Sequence, residues 1–145
     1  MSHSYYKIWL HIVFTTKNRE PYLTSNLEDV IFSYIRDQFI ELGCNVKIIN
    51  GMPDHIHCLI QQNPNKSIAE IIKQIKGASS HWVNQNNISP FKFAWQTGYG
   101  VFSVSESQIE KVIHYISSQK QHHQKQTFQE EYNTFLKLHH INSEE

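Results

Sequence analysis

No apolar run comes near the roughly 20 residues that a membrane-spanning helix needs, so the 145-residue chain is expected to have no span. Its opening stretch, Met1-Ser2-His3-Ser4-Tyr5-Tyr6-Lys7, lacks the charged-then-apolar pattern of a secretory signal. Cysteine is scarce: Cys44 and Cys58 are the only two, each set among apolar, strand-forming residues. Such thiols read as buried and reduced, which argues against a disulfide-stapled scaffold and for a cytoplasmic protein. Net charge is missing as well, because 13 basic and 13 acidic side chains cancel. Bulk electrostatics therefore offer nucleic acid no attraction, and such a partner would be held by local patches. No Gly-rich loop ending in Lys-Ser/Thr occurs, so no nucleotide cofactor is expected. With no repeat, low-complexity tract or linker, the chain reads as one domain over residues 1–145, ending in a frayed tail at 142–145.

Histidine is the residue in excess, with ten copies. Two of them sit in Gly51-Met52-Pro53-Asp54-His55-Ile56-His57-Cys58-Leu59-Ile60, which reads as a turn entering a short buried strand. Alternate side chains of a strand share a face, so His55 and His57 project together while Ile56, Cys58 and Ile60 face the other way. Two imidazoles held side by side make half of a metal site. Asp54 reads equally well as a partner orienting a histidine or as an ordinary turn residue, and it stays outside the expected site.

The remaining pattern supplies a frame for that strand. Tyr5 to Thr16 alternate as a long strand, with Ile8, Leu10, Ile12 and Phe14 on one side and Trp9, His11 and Val13 on the other. Lys17-Asn18-Arg19-Glu20-Pro21 closes it as a charged loop. A capping box from Ser25 to Glu28 opens a helix striped by Leu27, Val30, Ile31, Tyr34, Ile35 and Leu42, which Gly43 stops. Val46 to Asn50 pairs with the histidine strand as a hairpin. Beyond Asn63-Pro64-Asn65, Ser67 and Glu70 cap a second helix striped by Ile68, Ile71, Ile72, Ile75 and Trp82, with Lys73, Lys76 and His81 on its polar side. Phe91 to Trp95 and Tyr99 to Val104 read as a strand interrupted at Thr97-Gly98. Ser105 and Gln108 cap a third helix with the stripe Ile109, Val112, Ile113 and Ile116. Thr127 and Glu130 cap a short fourth carrying Phe128, Tyr132, Phe135 and Leu136.

The order β-α-β-β-α-β followed by helices is the ferredoxin-like (RRM-like) α+β pattern. Two crossover helices cover one face of an antiparallel sheet, and the third helix is free to cross the face that carries the histidines. On that third helix Tyr115 and Gln119 are four residues apart and hence on one side. Two imidazole nitrogens and an amide oxygen would leave positions open on a metal, as catalysis requires. Such a set fits phosphodiester cleavage, with a tyrosine whose ordinary pKa of ~10 demands help in losing its proton. An amide and phosphate oxygens favour a hard ion, Mg2+ or Mn2+, over zinc.

These residues carry a family resemblance. Met52-Pro53-Asp54-His55-Ile56-His57 resembles the histidine-hydrophobic-histidine (HUH) motif of single-tyrosine transposases of the insertion sequence 200/605 family, and Tyr115-Ile116-Ser117-Ser118-Gln119 resembles their tyrosine helix. Lys17-Asn18-Arg19, Tyr99-Gly100-Val101-Phe102-Ser103-Val104-Ser105 and Gln121-His122-His123 are similar to further stretches of that family, so the likeness runs from Tyr5 to about Ile141. The resemblance implies an enzyme that cuts and rejoins single-stranded DNA at the ends of a mobile element. Tyr115 would be the nucleophile, forming a 5′-phosphotyrosine, and His55, His57 and Gln119 the ligands of a divalent metal. It also implies recognition of subterminal hairpins and a homodimer with composite active sites.

Lys17, Arg19, Lys73, Lys76 and His122 are the candidate DNA contacts. Trp82, Tyr34 and Tyr132 read as core or core-edge aromatics, Trp95 as core or stacking platform, and His139 and His140 as helix-end surface residues. Three other functions remain open: a non-catalytic single-strand binder on an RRM-like sheet, a domesticated nickase acting on repeated palindromes, and a metal store or sensor.

Overall fold

Four strands make one antiparallel sheet: β1 (Trp9–Thr15), β2 (Asn45–Met52), β3 (His55–Gln61) and β4 (Gly100–Val104), in spatial order β2-β3-β1-β4. The fold was obtained as a computed structural model, which describes residues 3–121 and 128–141. Helices α1 (Glu28–Glu41) and α2 (Ile68–Gln85) link β1 to β2 and β3 to β4, and α3 (Ile109–Ser117) and α4 (Phe128–Leu138) follow the last strand. This is the ferredoxin-like α+β arrangement, with two helices on one face and the tyrosine-bearing helix on the other.

Period-2 alternation sorts the side chains between two layers. Leu10, Ile12 and Phe14 of β1 and Ile56, Cys58 and Ile60 of β3 pack with Ile31, Ile35 and Phe39 of α1 and Ile71, Ile72 and Ile75 of α2. On the opposite face, Leu59 and Val104 pack with Ile109, Val112, Tyr115 and Ile116 of α3. A bulge in β2 between Val46 and Ile48 shifts the register by one residue. It lets Val46 and Ile49 both reach the α1/α2 layer while Ile48 serves the α3 layer. Gly51 pairs with Ile56 in the same ladder, and a Cβ there would lie 2.2 Å from the His55 carbonyl oxygen. Only glycine permits that approach, and it sets the entry of β3.

Several boundaries differ from the sequence pattern. β1 begins at Trp9 rather than Tyr5, because its neighbours run out there: Trp9 is opposite both Gln61 and Val104. Tyr5 and Tyr6 are exposed. The partner strand β2 is longer than Val46–Asn50, reaching from Asn45 to Met52. Phe91 to Trp95 do not form a strand; Trp95 makes a single bridge to Thr16. Phe93 is instead plugged into the core, its backbone N–H and carbonyl held by the Asn84 amide at 2.8 and 2.9 Å.

Helix ends divide similarly. Ser67 caps α2, its hydroxyl accepting from the Glu70 N–H at 3.1 Å. No such bond forms at Ser25; Leu27 caps α1, and the Thr24 carbonyl accepts from the N–H groups of Leu27 and Glu28. Ser105 leads into a 3-10 turn at Glu106–Gln108 before α3, with its hydroxyl on that of Ser107. Thr127 lies outside the described residues. Gly43 ends α1 at φ +79°, as expected, with the Cys44 N–H on the Phe39 carbonyl. Val30, placed in the α1 stripe by pattern, is exposed, and Phe39 is buried in that face. Trp82 packs against the core and stacks on Tyr34 at 4.3 Å. Cys44 and Cys58 are free and buried. Among the described residues no helix is long and apolar enough to cross a membrane.

Candidate active site

β3 delivers His55 and His57 to the α3 side, and both rings are buried. α3 docks through Val112 and Ile116, which brings the buried Tyr115 ring to 5.6 Å from that of His57. The backbone turns at Ser118 and is helical again at 119–121. That keeps Gln119 one turn above Tyr115, fully buried, with its amide nitrogen 3.5 Å from the Tyr115 carbonyl. Two ties fix this end to β2: the Asn50 amide donates to the Ile116 carbonyl at 2.9 Å, and Lys120 donates to Asn50 and to the Gly51 carbonyl at 3.1 Å each. Tyr115, Gln119, His55 and His57 therefore converge, each with its own support.

The proton arrangement of this group follows from its neighbours. His55 Nδ1 lies 2.7 Å from an Asp54 carboxylate oxygen, and Arg19 binds the other oxygen at 2.9 Å. Burial opposes the Asp54 charge, but the His55 bond and charge and then Arg19 outweigh it, leaving the carboxyl at about 2. A carboxylate at Nδ1 holds the proton there, so Nε2 presents its lone pair. Asp54, set aside on sequence grounds, is the residue that orients His55.

His55 Nε2 stands 3.3 Å from Gln119 Oε1. The Gln119 amide nitrogen points instead to the Glu131 carboxylate, at 3.4 Å, so its oxygen is correctly turned to the histidine. Two acceptors facing each other suit a cation, since donors bound at about 2.1 Å to one ion stand this close. Among the described residues no three histidine, cysteine or carboxylate side chains are grouped as a metal site.

Tyr115 donates its hydroxyl proton to Glu131 Oε1 at 2.5 Å. Burial, then the bond to Glu131 and its charge, raise the phenol far above its usual range, with Gln119 opposing weakly. Val13, Arg19, His55, His57, Tyr115, Glu131, Tyr132 and Phe135 line one cavity of about 220 Å3 together with Thr15. Tyr132 is about half exposed at its rim rather than in the core. Sequence pattern missed Glu131 because α4 has no motif beyond amphipathicity; only its docking brings the carboxylate to the tyrosine. It also missed His11, fully buried, whose ring contacts both His57 and His139. Burial, then the neighbouring His139, lowers His11 to about 3. His139 is half-buried, not a surface residue, and burial followed by His140 lowers it to about 4.

The candidate DNA contacts are more scattered. Lys17 and Arg19 occupy a 3-10 turn beside the cavity, both exposed. Lys73 and Lys76 line a separate groove of about 460 Å3 between α2 and residues 94–99. There Lys76 donates to the carbonyls of Gln96 and Gly98 at 2.6 and 2.8 Å, and burial lowers its pKa. Lys73 is exposed. Trp95 packs edge-on against Phe14 and Phe93 and donates to Ser79 at 2.8 Å, as a core residue. His122 lies outside the described residues.

A histidine-bearing ferredoxin-like sheet crossed by a tyrosine helix points to a class, and comparison with known proteins gives the same one. The family described as "Transposase IS200 like" matches residues 4–119, and the chain belongs to that family. It is 28% identical over 119 residues to the ISDra2 transposase TnpA of Deinococcus radiodurans, covering 79% of this chain and 85% of that one. Among solved structures, a crystal structure of a proposed transposase from Deinococcus radiodurans R1 superposes with a TM-score of 0.63 at 27% identity, covering 82% of this chain and 96% of the other. The REP-associated tyrosine transposase bound to a REP hairpin shares the fold, with a TM-score of 0.61 at 16% identity over 85% of this chain and 73% of its own.

Proposed function

We propose that this protein, as a single catalytic domain, cuts and rejoins single-stranded DNA at the ends of a mobile element through a 5′-phosphotyrosine intermediate. The observation that carries this reading is the convergence of Tyr115, His55 and His57 on one cavity, with the buried Gln119 against His55 behind its wall. His55, His57 and Gln119 would hold the divalent cation, Mg2+ or Mn2+, which polarises a phosphate oxygen and offsets charge in the transition state.

The chain's own residues supply the rest. The Tyr115 oxygen attacks phosphorus; the bond to the 3′ oxygen of the upstream nucleotide breaks, and that oxygen takes up a proton from water and leaves as a 3′ hydroxyl. Among the described residues the tyrosine proton has a short path onto Glu131, and its transfer there avoids two anions 2.5 Å apart. Attack by a 3′ hydroxyl on the phosphotyrosine reverses the step and restores Tyr115, so no nucleotide is consumed. Lys17, Arg19, Lys73 and His122 would contact the strand, with Lys76 shaping the groove wall beside Lys73. Hairpins near the element ends would be the recognised feature, in keeping with the hairpin held by the REP-associated neighbour. A homodimer acting in the cytoplasm completes the reading; in the composite sites that the resemblance implies, each tyrosine helix would take against the partner's histidines the place it takes here against its own.

The test is incubation with end-labelled single-stranded hairpin oligonucleotides and Mn2+, followed by denaturing electrophoresis. A protein–DNA adduct on the 3′ fragment, lost with chelator or in Tyr115→Phe, is expected. Tight binding with no adduct would favour a non-catalytic single-strand binder.

A further inference from the structure

Two ring-to-ring contacts extend behind the site. His11 Nε2 lies 2.9 Å from His57 Nδ1, and His11 Nδ1 lies 2.6 Å from His139 Nε2. His11 stands opposite Leu59 while Val13 stands opposite His57, so His11 and His57 are diagonal neighbours on one face of the sheet. His139 reaches the same ring from beyond the end of α4, stacked on Phe102 of β4 at 4.4 Å. Fully buried beside Phe135, His11 is a neutral ring with one donor nitrogen and one acceptor.

That constraint links the three rings. Each contact needs one N–H and one lone pair, so only two neutral arrangements satisfy both. In the first, His57 donates from Nδ1 to His11, and His11 donates from Nδ1 to His139; His57 Nε2 then carries a lone pair. In the second every proton is moved one place, and His57 Nε2 carries an N–H. Only the first lets His57 bind a cation through Nε2, the nitrogen on the ring's far side from His11.

We propose that His11 and His139 are positioning residues that hold His57 in its metal-binding tautomer, so that seating of α4 is coupled to metal affinity. The acceptor that completes the chain belongs to the segment following α4. Without it, the His11 Nδ1 proton would be buried with no acceptor, and the cheaper arrangement would put the proton of His57 on Nε2. Asp54 does for His55 what these two rings do for His57. The inference rests on the metal reading above, but the tautomer can be read in metal-free protein, so the two fail separately.

The experiment combines two-bond 1H–15N spectra of the histidines in the metal-free full chain with calorimetric titration of Mn2+. In the wild type His57 is expected to carry its proton on Nδ1. His139→Leu should lose that preference and weaken Mn2+ binding about 10-fold, the lower end of what such outer partners supply, and His139→Gln, whose amide oxygen accepts, should restore both. The paired variants His11→Leu and His11→Gln, checked for folding by circular dichroism, should repeat the contrast at the inner ring. A wild-type His57 protonated on Nε2, or leucine variants with unchanged tautomer, would overturn the relay. Absence of Mn2+ binding in the wild type, with the tautomer as expected, would uphold the relay and remove the metal.

Discussion

Tyr115 and Glu131 pose the sharpest question at the scale of single residues. Their hydrogen bond favours the neutral phenol, yet the same carboxylate is the nearest acceptor for its proton. Glu131→Gln separates the two effects. Removing the anion should bring the Tyr115 pKa down, which ultraviolet titration of tyrosine would record. Removing the acceptor should slow adduct formation by roughly 10²–10⁴-fold, the range of a lost general base. A structural role alone would not move these two readings in opposite senses. Gly51 is decisive in a different way. A methyl group there meets the His55 carbonyl at 2.2 Å, so Gly51→Ala must displace the β2–β3 ladder at His55. A loss of roughly 1–3 kcal/mol in urea unfolding is expected, as for other overpacking changes, with adduct formation falling alongside.

Among the elements, α4 does the most with the least sequence signal. It covers the α3 face, offers Glu131 to the site and places Phe135 between His57, Phe102 and His139. Its seating should weaken in acid. His139 has a folded-state pKa of about 4 against an ordinary 6.5. Above 6.5 the ring is neutral in both states and its contribution is complete. Between 6.5 and about 4 the unfolded chain takes up a proton that the folded one resists, so stability falls with pH. His11, lowered to about 3, acts in the same direction over a wider window. Urea unfolding at pH 7 and pH 5 should show a smaller loss in His139→Gln than in the wild type.

For the whole molecule, charge balance is the governing fact. With 13 basic and 13 acidic residues, affinity for a strand has to come from a few placed cations rather than from a broad field. Binding of single-stranded DNA should therefore depend only shallowly on salt. Each phosphate contact on a single strand contributes about 0.7 to the slope of log affinity against log salt, so Lys17→Ala should flatten it by about that amount. Filter binding across a salt series would measure this, and an unchanged slope would remove Lys17 from the interface.

Local pattern was enough wherever one element's own period decides the outcome. Alternation along β3 puts His55 and His57 on one face, whatever surrounds them, whereas Gln119 lies beyond the end of α3 and stays above Tyr115 because the backbone is helical again after Ser118. The order of strands and helices likewise leaves few ways to close a sheet, which is why the ferredoxin-like arrangement was legible. Phe91 to Trp95 were not, because a strand exists only where a neighbour offers its ladder, and Phe93 found the core and Asn84 instead. His11, His139, Glu131 and the orienting role of Asp54 depend on contacts between residues far apart in the chain, or on which of two ordinary turn roles is realised. Those were decided by sheet order and by the docking of α4, since a hydrogen bond between distant residues follows from where the backbone carries them and leaves no periodic trace in either segment.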